Sequence, residues 1–192
     1  MIEENIKFEL EDNLFEAIFL YKNKDTFIDD KERIKIIKNI ESLIRASNEY
    51  KYLVKYIKST ENMNRCSILD NISNEDATID VHHCVYTLFD IVELVIKKYD
   101  YWNEYWNSFI VADKVIELHY NNLVGLIPLS RTMHEYIHSN NIIINDKKMI
   151  GEVQLFYDMY HEYMTDEQLE KFDIYMNSNL TLEDIKNNTI LK

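Results

Sequence analysis

The sequence predicts a mostly helical α+β fold. Three observations carry this expectation. Only two glycines and one proline occur among 192 residues, little of the punctuation that a turn-rich β-sandwich needs. Apolar residues recur at helical spacing through most of the chain. Two short runs, one β-branched and one continuously apolar, suit strands. With 46% hydrophobic and 29% charged residues, the chain can bury a sizeable core and does not have the composition of a disordered protein.

The elements follow in order. Ile6, Leu10, Leu14 and Ile18 mark a helix over 3–21, and Ile34, Ile37, Ile40 and Ile44 a second over 30–46. A shorter helix near 48–58 carries Leu53, Val54 and Ile57. Residues 59–78 are rich in Asn, Ser and Asp and lead into a strand over 77–85. Thr87 and Asp90 stand at capping-box spacing before Leu88, Ile91, Val92 and Val95, one apolar face of a helix over 87–98. An aromatic stretch at 99–107 interrupts before a helix near 108–120, and Tyr99, Tyr101, Trp102, Tyr105 and Trp106 read first as core or interface packing residues, with base stacking on single strands as the alternative. Residues 123–129, bounded by Gly125 and Pro128, suit a second strand, and 131–139 a helix. Helices near 151–164 and 166–177 follow, the latter opened by Thr165 and Gln168 at capping-box spacing, with a short one after Thr181. This divides the chain into an N-terminal helical region at 1–65, a core at 66–140 with a helical insertion at about 86–120, and a C-terminal helical region at 141–192, together one compact unit.

Net charge is −13, which argues against a protein that coats nucleic acid electrostatically. The charge is uneven: residues 22–58 carry +4, with Tyr50, Tyr52 and Tyr56 among the bases, and residues 151–192 carry −6. Two readings of this contrast stand: solvated helix faces, or a basic face for a phosphate backbone beside an acidic surface for a protein partner. No apolar run approaches the roughly 18 residues of a membrane span, and the acidic N-terminus does not read as a secretory signal. Two cysteines exclude a disulfide framework and point to a reduced, cytoplasmic setting, the host cytoplasm for a phage protein. The abundance of Ile, Asn and Lys fits an AT-rich genome such as that of a phage or mobile element.

The histidines are the most informative residues. His134 and His138 stand at i and i+4, so a helix projects both imidazoles from one face, about 5–6 Å apart at Cβ. That suits two nitrogens converging on one metal at roughly 2.0–2.1 Å. His82 and His83 are adjacent on a strand, so one ring can join the metal while the other stays free to accept a proton. A strand giving one ligand and a helix giving two leaves open positions for water and substrate. Taken singly, an i,i+4 pair or a His-His dipeptide is more often structural or incidental.

His82-His83, followed by the segment Gly125-Leu126-Ile127-Pro128-Leu129-Ser130-Arg131-Thr132-Met133-His134-Glu135-Tyr136-Ile137-His138, resembles the HNH (ββα-metal) endonucleases over about residues 66–140. The resemblance implies a small ββα-metal core of strands 77–85 and 123–129 and helix 131–139. It implies one divalent ion (Mg, Mn or Zn) on His82, His134 and His138, with His83 as general base, and a phosphodiester in DNA as substrate. Flanking zinc knuckles survive only as Cys66 with Leu69 and Ser130 with Met133, so no structural zinc is expected. The family's central Asn is replaced by Gly125, a role that Asn121 or Asn122 could take up. Asp80, two residues before His82 and on its strand face, is a candidate fourth ligand or orienting partner, or else a solvated strand residue. Arg131 can meet a phosphate or pair with Glu135. His119 reads as a hydrogen-bonded structural histidine, His161 as a surface residue and Cys84 as a buried one. The expectation is a metal-dependent DNA endonuclease. Its competitor is an acidic binding, inhibitor or assembly protein on a degenerate HNH scaffold, which Gly125 and the net charge favour.

Overall fold

The computed structural model describes residues 30–59, 63–69, 71–139 and 149–177. The sequence-predicted helices at 3–21 and after Thr181 lie outside them. The described residues form seven α-helices and one two-stranded sheet, the mostly helical α+β fold that the sequence predicts. In chain order these are α1 (Asp30–Ala46), α2 (Asn48–Ser59), β1 (Ile79–His83), α3 (Leu88–Tyr101), α4 (Ser108–Tyr120), β2 (Leu126–Ser130), α5 (Arg131–Ser139), α6 (Val153–Tyr160) and α7 (Asp166–Asn177).

Helix α1 buries Ile36, Ile37, Ile40 and Ile44. Ile34, placed on that face by simple i+3 counting, is 43% exposed; Ile36 takes its place because the stripe runs i, i+1, i+4, i+8 around the helix. Helices α1, α3 and α4 pack on one another, and α2 lies across α4 and β1. Both expected capping boxes form. The Thr87 hydroxyl accepts from Asp90 N–H while the Asp90 carboxylate accepts from Thr87 N–H. Thr165 and Gln168 repeat the exchange at the start of α7. The Gln168 amide also donates to Asp90, fastening the C-terminal helix to the start of the insertion.

The strands pair antiparallel in one register, with His82 opposite Ile127 and His83 opposite Leu126. Helix α5 leaves β2 without a loop, and Arg131 N–H donates to Thr78 O beyond the other strand's start. The ββα unit is therefore assembled across the α3–α4 insertion, and α5 contacts both strands. Around it, Cys66 and Cys84 are buried and form no disulfide, and Leu69 N–H donates to Cys66 Sγ in a knuckle-like turn. Of the aromatic stretch, Trp106 is fully buried with its indole N–H on Asp100. Tyr101, Trp102 and Tyr105 are exposed, so they do not belong to the core.

Gly125 has a steric cause. Its carbonyl accepts from Cys84 N–H, and a Cβ there would stand 2.7 Å from Val153 Cγ2 and 3.2 Å from Met149 Sδ. Gly125→Asn should therefore lower unfolding free energy by about 1–3 kcal/mol. Urea titration checks this, and adding Val153→Ala should return part of the loss; equal stability of wild type and Gly125→Asn would contradict the close approach.

Candidate metal centre

Strand alternation sends the His82 ring toward α5. It lies edge-on to His134 and His138, with ring centroids 4.9 and 4.8 Å away. One nitrogen from each of the three residues can be chosen so that all lie within 4.8 Å of one another. His134 Nε2 and His138 Nε2 are 3.1 Å apart, close to the roughly 3.3 Å that two ligands at 2.0–2.1 Å subtend in a tetrahedral site. Asp80 Oδ2 lies 4.0 Å from His134 Nδ1, which favours a proton there and leaves Nε2 with its lone pair.

The His82 Nδ1 atom is buried with no hydrogen-bond partner among the described residues. An orphaned buried nitrogen costs free energy unless something satisfies it. A divalent cation shared with two further imidazoles would do so, and the residues present fit one. Desolvation is the main cause that lowers His82 to about 3, helped by repulsion from His134 and His138. Burial, and after it the neighbouring His138, lower His134, with Asp80 opposing. Neutral imidazoles are the form that ligates.

His83 departs from its expected setting. Instead of standing free, its Nε2 lies 2.9 Å from Nε2 of His119 on the inserted helix α4. Burial, then His119 and Arg45, hold it well below its usual value. His119 is itself lowered to about 4, mainly by burial. The His83 ring nevertheless borders a cleft of about 340 Å³, shared with His82, His138, Thr87 and, from α7, Glu167, Glu170 and Lys171. No local signal in the sequence places α7 here; it arrives through the Gln168–Asp90 bond.

The remaining candidates sort as follows. Asp80 is held by Lys58 at 3.7 Å and Arg131 at 3.6 Å, so it flanks the cluster as a charged partner of His134 rather than standing as a free strand residue. Arg131 is paired with that carboxylate, not with Glu135. Asn121 and Asn122 do not replace the missing Asn: both are exposed, Asn121 donates to Glu117, and Asn122 takes a left-handed backbone with φ 56° at the end of α4. His161 is exposed and Cys84 buried.

Compared with known families, the chain matches the bacteriophage G278-like virion proteins over residues 1–192. It belongs to that family. No curated protein and no solved structure matches it. Family membership makes the chain a phage protein, in line with its Ile, Asn and Lys richness. Among the described residues, no helix is long and apolar enough to cross a membrane.

The desolvated imidazoles make stability depend on pH. An unfolded histidine titrates near 6.5, whereas His82 and His119 stay neutral to about 3 and 4 in the fold. Between those values the unfolded chain binds protons that the fold refuses, so this contribution is complete above pH 6.5 and drains as pH falls. Denaturant melts from pH 6.5 to 5 should lose roughly 2 kcal/mol for each such ring. A flat profile across that range would show that the rings are not desolvated.

Proposed function

We propose that this member of the family is a metal-dependent, HNH-like endonuclease that hydrolyses phosphodiester bonds in DNA. The observation that carries the reading is the convergence of His82, His134 and His138, with a buried His82 nitrogen that has no hydrogen-bond partner among the described residues, on a ββα frame beside a cleft that a fourth histidine, His83, also borders. A bound divalent ion would offset charge developing on the scissile phosphate and its leaving oxygen. His83 would take the proton of the attacking water as the new P–O bond forms and the bond to the leaving oxygen breaks; burial keeps the ring neutral at physiological pH and makes it a weaker base than an ordinary imidazole. The Asp80 carboxylate stands 4.0 Å from His134 Nδ1 and is itself paired with Lys58 and Arg131.

A DNA path toward this centre is supported by α2. Lys51, Lys55 and Lys58 recur at i, i+4 and i+7, and with Arg45 they border an open groove floored by Tyr50 and Val54. Lys58 at its end touches Asp80, one residue from the histidine cluster in contact terms. Tyr52 and Tyr56 are exposed on the same helix, while Tyr50 is buried.

A second reading, a virion assembly protein, is favoured by the family description and by the exposed Tyr101, Trp102, Tyr105 and Phe109. In that case the three histidines serve stability alone and the acidic surface engages a protein.

Plasmid nicking with Mg²⁺, Mn²⁺ or Zn²⁺ separates the two. Wild type should nick; His83→Ala should lose about 10²–10⁴-fold while still binding metal, and His138→Ala should lose metal binding as well. No nicking with any of these ions would leave the assembly reading. In a metal-free DNA-binding titration, Lys51→Glu with Lys55→Glu should weaken affinity and reduce the slope of log K against log salt by about 1.8; an unchanged slope would remove α2 from the DNA path.

A further inference from the structure

We propose that His119, on the inserted helix, is a positioning residue that fixes the tautomer and ring orientation of His83; this rests on the hydrolytic reading above. The inference follows from hydrogen-bond direction. His119 Nδ1 lies 2.7 Å from Val115 O, and a carbonyl can only accept, so Nδ1 carries the proton. A neutral ring then has a bare Nε2. That atom lies 2.9 Å from His83 Nε2, so His83 must donate through Nε2–H. The lone pair of His83 is thereby confined to Nδ1, the only ring atom left to receive a proton from water.

The alternative assignment needs a second proton on His119. That would place an imidazolium at a position 5% exposed, with the Arg45 charge adding repulsion. The geometry is fixed from both sides. Tyr50 meets the His119 ring edge-on at 5.4 Å and 86°, and His119 meets His83 edge-on at 5.2 Å and 85°. The backbone bond to Val115 spans one helical turn, so the orientation of His83 is set by α4 itself. When His83 takes a proton at Nδ1 its Nε2–H becomes a better donor, and the bare His119 Nε2 is placed to accept it. Asn121 and Asn122, two and three residues further on, supply no such contact.

The experiment has a spectroscopic arm and a kinetic arm, both on the full chain. Long-range ¹H–¹⁵N correlation should show His83 protonated at Nε2 and His119 at Nδ1; the opposite tautomer at His83 overturns the proposal. His119→Leu removes the acceptor, whereas His119→Gln keeps an amide oxygen that can receive the His83 N–H. With Mn²⁺ and plasmid DNA, His119→Leu should lower kcat about 10–100-fold with KM and Mn²⁺ affinity unchanged, and His119→Gln should recover most of it. Equal rates in wild type and both variants, or equal losses in both variants together with weaker Mn²⁺ binding, would overturn the positioning role. Should the Leu variant fail to fold, the Gln variant and the tautomer spectrum still decide. Absence of cleavage by wild type with the expected tautomers in place rejects the hydrolytic reading alone.

Discussion

The structure depends on the register of one short strand pair. With His82 opposite Ile127, the strand exit at Ser130 falls where α5 can begin at once, and one turn of that helix carries His134 back over His82. A slip of a single residue would exchange His82 with Val81 or His83 and turn the cluster inside out. Nothing in the turn chemistry sets this register, since the strands are joined through two helices rather than a hairpin. It is set by burial: all five residues of β2 are buried, and Ser67 N–H on Pro128 O and Ile150 on Leu126 hold the strand's free edge.

Much of this was legible in the sequence, for reasons that differ by element. The capped helices α3 and α7 were readable because Thr87–Asp90 and Thr165–Gln168 are local chemistry, complete within four residues. The three-histidine cluster was readable because i,i+4 spacing on α5 is local too, and only the arrival of His82 required a strand pairing. The partner of His83 was not readable. His119 lies 36 positions away, and its approach depends on how α4 docks against α1 and α2, which no pattern of residue types states. The same applies to α7, whose place on the cleft depends on a bond between Gln168 and Asp90, 78 positions apart. Ile34 shows the finer limit: a periodic stripe locates a helix face to within a residue, and tertiary packing chooses the edge.

The insertion has two distinct relations to the core. Its first helix contributes a buried carboxylate, Asp90, that collects the Thr87 cap, the Gln168 amide and Lys171. Its second contributes the imidazole beside His83. Removing the insertion would therefore cost the C-terminal helix its anchor and the histidine pair its inner member.

The wall that α7 presents to the cleft has a consequence for order of arrival. Glu167 and Glu170 stand there with one lysine, opposite imidazoles that carry no charge. This wall of the cleft is thus net negative, a setting less favourable to an anion than to a dication. On the hydrolytic reading proposed above, a seated cation would reverse that sign, so that occupancy by a positive ion and by a phosphate group would be thermodynamically linked, each raising the affinity of the other by the same factor.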